Sequence, residues 1–444
     1  MEYKALAEEL VKKCLKKGAD AAEVYIENGR NLSLEVRKGE VETVEEAASY
    51  GAGIRVFIEG KMAFSSSNDL GEKALEDAMG RAIGFARITT SDPNNVLPDD
   101  KNMTEIAGLF DPEIARMPME KKIELAKRTE QLAMKDPRIT KSDGARYGES
   151  EGEVVIANST GMSKSYRASS CSLGVSVVAE KGDQKSSGGE YCGARFYKDL
   201  KPAGELAAKA ARDAYETLDP RPVKTQKAAV IFHADVGSAL LGGILGAVNG
   251  ERVLQGASFL GKMMDRKIGS ELITIIDDGT REKGVASEPF DGEGVSTQKR
   301  LIVEKGVLKG FMYNTIIAKR AGVKSTGNAA RGGFTGLPEI GPHQFYLAAG
   351  QAKPEDIIKA TKAGLLVKEV TGYGINPVNG NFSGGASGFW IEEGKIAFPV
   401  KGLTIAGTAD EMLNGIDLLA DDLDLSRRMA APTFRIKLLQ IGGE

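Results

Sequence analysis

The chain has two histidines, His233 and His343, and three cysteines, Cys14, Cys171 and Cys192, for any chemistry that needs an imidazole or a thiol. The histidines form no HxH or HxxxH pair, and the cysteines share no CxxC spacing. Neither set therefore has the local spacing of a zinc site or a redox pair. His233 ends an apolar run and reads as a structural histidine; His343 follows Pro342 in a loop and reads as a solvated or capping residue. Cys171 and Cys192 fall in strand-like runs, where a free thiol packs as a small hydrophobe. GlyAlaSerGlyPhe at 385–389 misses GxSxG because Phe389 stands where the last glycine is needed. No GxxxxGK[ST] occurs, and no GxGxxG lies between a strand and a helix, which disfavours nucleotide binding. The most acidic loop, AspAspGlyThr at 277–280 with Glu282, Glu288, Asp291 and Glu293 beyond, lacks EF-hand spacing. Its carboxylates are expected to cap their own turn backbone.

Three stretches remain. AlaAlaValIlePhe at 228–232 reads as a buried strand, Asp235 as an N-cap, and the following residues as a helix carrying Gly237, Gly242, Gly243 and Gly246. Each glycine costs about 1 kcal/mol against alanine inside a helix, so something must favour it. Either another backbone packs closely there, or a functional helix has lost its working side chains. Residues 325–336 and 376–389 mix glycine with Asn, Ser and Arg. They read as loops that either present backbone groups to an extended peptide or simply form tight turns.

Several longer segments resemble the TldD/PmbA (TldD/TldE) family of cytosolic proteins linked to peptide breakdown. They are GADAAEV (18–24), SELITIIDDGT (270–280), EKGVLKGFMYN (304–314), KSTGNAARG (324–332), NPVNGNFSGGASGFWIEEGKIAFPVKGLTIAG (376–407) and PTFRI (432–436). The resemblance covers essentially the whole chain. In that family the TldD-type subunit carries a zinc-binding HExxxH helix, which the TldE (PmbA) type lacks. Registered on QGASF at 255–259, the string LGGILG at 241–246 falls on that motif. Leu241 and Gly246 then replace the histidines and Gly242 the glutamate, and none of these can bind zinc or act as a base. TldD-type chains also supply a cysteine ligand shortly before the PTxR[VI]-like segment, whereas no cysteine follows Cys192 here.

The resemblance thus implies a TldE-like subunit with no catalytic residue or metal ligand of its own. Zinc would belong to a TldD-like partner in a heterodimer, with a homodimer when that partner is absent. The substrate would be an unfolded peptide or peptide precursor held extended, and Asn328, Arg331, Asn376, Asn381 and Ser387 would line its path. A second reading, also from the family, is a non-enzymatic regulator of the DNA gyrase modulator type. An autonomous hydrolase is a third, disfavoured by the scarcity of His and Cys.

The elements that must position these residues read as α+β. Apolar spacing predicts a helix over 2–17, alternating strands from 22 to 66 with hairpin turns at Asn28-Gly29, 38–40 and 59–61, and a helix over 70–87. A long exposed connection is expected at 89–118, then a helix to about 135, strands through 139–197 and a helix at 203–217. AspProArgProValLysThr at 219–225 marks a domain boundary. It separates an N-terminal domain (1–220), an antiparallel sheet flanked by helices, from a β-rich, sandwich- or barrel-like C-terminal domain (221–444). In the latter, strands are expected at 272–276, 299–304 and 307–312, with short helices at 314–321, 354–363 and 408–423. Lys and Arg total 59 against 62 Asp and Glu, for a net charge of −3, which argues against nucleic-acid binding by phosphate neutralisation. The opening residues lack an apolar signal core and no run is long enough to span a membrane, so a cytoplasmic protein is expected.

Overall fold

The computed structural model describes residues 2–372 and 374–444. The first half contains α1 (Tyr3–Lys16), β1 (Ala21–Arg37), β2 (Glu40–Ile58), β3 (Lys61–Ser67), α2 (Glu72–Ile88), α3 (Pro112–Arg116), α4 (Met119–Ala133), β4 (Ile139–Asn158), β5 (Ser163–Lys181), β6 (Gln184–Ala194) and α5 (Ala203–Glu216). Its strands form one antiparallel sheet in the order β3-β2-β1-β4-β5-β6. The buried apolar even-numbered residues of β1 face the helices. Ala22, Val24 and Ile26 pack with α1 and α2, and Leu32, Leu34 and Val36 pack beside α4.

Asn28-Gly29 is not a turn, contrary to expectation. β1 runs straight through it and pairs with both neighbours at Gly29. A Cβ at Gly29 would lie 3.2 Å from the carbonyl oxygen of Glu151, so the glycine serves close strand approach. The other two hairpin turns are present, with Lys38 and Gly39 at φ 55° and 76° and Glu59 and Gly60 at 50° and 73°.

The second half contains β7 (Gln226–Phe232), α6 (Ser238–Ala247), α7 (Gly250–Leu254), β8 (Ile275–Asp278), β9 (Lys299–Glu304), β10 (Val307–Leu308), α8 (Thr315–Ala321), β11 (Ala329–Ala330), β12 (Glu339–Ile340), β13 (Gln344–Leu347), α9 (Pro354–Lys359), β14 (Ala363–Thr371), β15 (Asn381–Glu392), β16 (Lys395–Thr408), α10 (Ala409–Gly415), β17 (Ile416–Leu419), β18 (Met429–Ala430) and β19 (Phe434–Gly442). A sheet in the order β16-β15-β14-β7-β19-β17 is closed by pairing of β16 with β19, which makes a five-stranded barrel with β17 appended. The architecture is therefore α+β with a barrel in its second half. Phe232 and Phe434 stack 5.1 Å apart in a core that also takes in α6 and α10.

Two expected helices are shorter than their sequence pattern. α9 stops at Lys359 and α10 at Gly415; the residues beyond enter β14 and β17, where pairing with barrel strands overrides local propensity. The expected strand at 272–276 lies instead at Ile275–Asp278. Residues 381–389, read as loop, belong to β15. The connection at 89–118 is a strap across both halves as well as an exposed link. Pro98 O accepts from Asn158 Nδ2 at 2.9 Å and Leu109 O from Ser169 N at 2.9 Å, while Asp100 accepts from Ser296 N at 2.8 Å. Among the described residues no helix is long and apolar enough to cross a membrane.

Candidate functional site

Between β7 and α6 the chain makes a single 3-10 turn, Ala234–Val236. Asp235 does not cap α6. His233 caps the 3-10 turn, its Nδ1 accepting from Asp235 N at 3.2 Å, and α6 begins after Gly237 without a side-chain cap. The Asp235 carboxylate instead contacts Lys209 at 2.9 Å, His233 at 3.1 Å and Lys368 at 3.4 Å. Burial alone would raise its pKa, but these partners outweigh burial and hold it well below the usual carboxylate range. Lys209 also reaches Glu190 and Asp213, each at 2.9 Å. This network lines a cleft of about 530 Å³ between α5, β6 and the barrel, and Ser387 and Arg427 lie on its wall.

The glycines of this segment divide by what surrounds them. A Cβ at Gly237 would fall 2.6 Å from Ala431, at Gly243 2.4 Å from Ile375, and at Gly246 2.9 Å from Pro377. Those three glycines permit close packing. Gly242 is exposed, and a Cβ there meets nothing within 4 Å. Leu241 is buried in the barrel core. The α6 positions Leu241, Gly242 and Gly246 thus offer no imidazole, thiolate or carboxylate, and the donors present do not fit a zinc ion. Among the described residues, no three His, Cys, Asp or Glu side chains are grouped to hold a metal. The cysteines are buried in the first half, and burial pushes the thiols of Cys14 to about 11 and Cys171 to about 12. His343 is buried rather than solvated, with Nε2 2.6 Å from Gly327 O and its amide donating to Asp277 at 2.9 Å.

The five residues assigned to peptide contact do not form one cluster. Asn376 and Asn381 are exposed on the turn that packs over α6 through Ile375 and Pro377. Asn376 Oδ1 accepts from Val378 N at 2.8 Å, which builds that turn. Ser387 sits in the charged cleft. Asn328 and Arg331 are committed elsewhere. Asn328 Nδ2 donates to Asp277 at 2.6 Å and its Oδ1 accepts from Thr326 at 2.7 Å, leaving the residue 1% exposed. Arg331 ion-pairs with Glu23, donates to Gly292 O, and stacks 4.8 Å over the Tyr25 ring. Glu23 in turn holds Arg55 at 2.7 Å, and Arg55 holds Glu293 at 3.1 Å. This buried chain of alternating charge joins the first sheet to the second half. The acidic loop does cap its own backbone, as expected, since Asp291 accepts from Glu293 N and Val295 N, both at 2.9 Å.

One feature escaped the sequence reading. Odd-numbered β1 residues near Glu23 and Tyr25 are covered by the second half, but farther along the same face no helix among the described residues covers the sheet. Cross-strand rows there read Glu45-Ser33-Gly148-Ser172-Gly193, Ala47-Asn31-Ser150-Ser170 and Thr43-Glu35-Arg146-Gly174-Tyr191. The signal lies in β5, where Ser172, Gly174 and Ser176 alternate with buried Leu173, Val175 and Val177. Small hydroxyl-bearing side chains on an open sheet make a wide polar wall, bordered by Ser426, Arg427 and Arg428.

Comparison with known proteins agrees with this architecture along its length. Residues 22–86, 112–218 and 225–443 match, in turn, domain 1, the central domain and the C-terminal domain of the PmbA/TldA metallopeptidases. Metalloprotease PmbA of Escherichia coli O157:H7 is 32% identical over 96% of this chain and 93% of its own. A Bacteroides thetaiotaomicron protein described as a candidate modulator of DNA gyrase superposes with a TM-score of 0.92 at 27% identity, covering 100% of this chain and 99% of its own. TldE from Thermococcus kodakarensis shares the fold, with a TM-score of 0.91 at 24% identity over 99% of this chain and 100% of its own. The chain belongs to the PmbA/TldD family.

Proposed function

We propose that this chain is the non-catalytic, TldE/PmbA-like subunit of a zinc metalloprotease that cleaves unfolded peptides or peptide precursors. The observation that carries this reading is α6, where Gly242 is open to solvent and neither Leu241 nor Gly246 offers a donor atom. A metallopeptidase needs ligands and a base, and these positions supply neither. Zinc and the scissile bond would then belong to a TldD-like partner in a cytoplasmic heterodimer. The open Ser/Gly sheet face supports a role as one wall of an enclosed chamber. It can hold polypeptide through polar contacts that are indifferent to sequence. Of the five residues assigned earlier, Asn376, Asn381 and Ser387 remain available for that contact.

The test is zinc content and peptide cleavage by the chain alone and mixed with a TldD-like partner. Activity confined to the mixture is expected, and zinc-dependent cleavage by the lone chain would refute the proposal. The gyrase description of the Bacteroides relative favours a second reading, a regulatory binding protein. Binding to gyrase by this chain alone, with no gain of proteolysis in the mixture, would favour it.

A further inference from the structure

We propose that the free edge of β2, residues 40–50, is a docking site where an extended, lysine- and arginine-bearing polypeptide segment adds to the sheet as a seventh strand. This site lies on the chain itself and does not depend on the proposed catalytic partner. β2 pairs with β1 along its length, but β3 covers only residues 52–58 of its other side. At the end toward Gly51, Phe334 packs over the face of the sheet, since a Cβ at Gly51 would fall 2.3 Å from its ring. Residues 40–50 therefore present alternate backbone N–H and C=O groups to solvent with no partner strand among the described residues.

Natural sheets protect such an edge with proline, lysine, bulges or a covering element. Here residues 40–50 contain neither proline nor lysine. The one register irregularity, opposite Glu35 and Val36, lies near the hairpin end and leaves 43–50 regular. Val41, Val44 and Tyr50 are 38%, 45% and 48% exposed, so apolar side chains flank the polar backbone.

The charge pattern selects the occupant. Glu40, Glu42, Glu45 and Glu46 are the only charged residues of this edge. The cations near them stand behind β2, on α4 and β1. Lys127 lies 3.4 Å from Glu40, Arg37 3.8 Å from Glu42 and Arg30 2.6 Å from Glu46. Glu45 pairs with no cation among the described residues. A second copy of this chain, edge to edge, would set glutamates against glutamates, which cross-strand pairing disfavours. A strand carrying Lys or Arg would give Glu45 a partner, meet the exposed Glu40 and Glu42 from the open side, and gain main-chain hydrogen bonds, the β-augmentation mode.

The probe is a fluorescent eight-residue peptide alternating Lys and Val, titrated against the full chain by anisotropy. Saturable binding is expected, weakened about tenfold or more by Glu42→Lys with Glu45→Lys. The same peptide N-methylated at alternate residues keeps its charge but loses its edge-facing donors, and its binding is expected to vanish. That arm needs no variant. Absence of binding, equal binding of the N-methylated peptide, equal binding of a Glu–Val peptide, or dimerisation of the chain through β2 would each overturn the proposal.

Discussion

Arg331 and its partners decide how the two halves hold together. Glu23, Arg55 and Arg331 have side chains 1% exposed, and Glu293 is fully buried. Removing one member leaves its neighbour charged and desolvated, so Arg331→Ala is expected to cost about 3–5 kcal/mol in urea denaturation. A cost below about 1 kcal/mol would mean the chain of charges is slack. A glycine-rich loop suggested contact with ligand for this residue, because its partner Glu23 lies 308 positions earlier and no local pattern records such a pairing. Asp235 makes a second prediction at this scale. Its pKa is held low in the folded protein, so its stabilisation is present above the unfolded value of about 4 and is lost as pH falls below that. Asp235→Asn should therefore be less stable than the parent by about 1–3 kcal/mol at pH 6, with the difference shrinking as pH drops through about 4 and below. A difference independent of pH would contradict the assignment.

At the scale of the element, α6 separates the two uses of glycine. Gly242→Ala meets open space in a helix and should stabilise the protein by up to about 1 kcal/mol. Gly243→Ala drives a methyl into Ile375 and should destabilise it by about 1–3 kcal/mol. Thermal melts of the two variants check both signs, and shifts in the same direction would refute the distinction. Strands and helices with unbroken periodicity, such as α1, α5 and β5, were legible from the chain alone. Asn28-Gly29 carries a turn signal within a polar stretch, and only pairing with β2 and β4 on either side shows that the strand runs on through it. The expected helices α9 and α10 run too far because strands β14 and β17 follow them closely, and only long-range pairing with β7, β15 and β19 shows where helix gives way to strand. The open Ser/Gly face was missed for a similar reason. Each strand shows only an unremarkable alternation, and the wall exists only once five strands stand in register.

For the whole molecule, two built features stand beside one that is missing. A PmbA/TldD-family architecture spans the chain, a polar sheet face left open among the described residues adjoins the seam between its halves, and α6 offers no donor side chain at Leu241, Gly242 or Gly246. These belong together if the protein shapes a chamber whose chemistry is supplied by another subunit. Zinc content and cleavage of an unfolded peptide, measured on this chain alone and after mixing with a TldD-like partner, test that claim most directly. The account predicts no bound zinc and no cleavage for the chain alone, and cleavage with one zinc per heterodimer in the mixture. Stoichiometric zinc and zinc-dependent cleavage by the lone chain would contradict it.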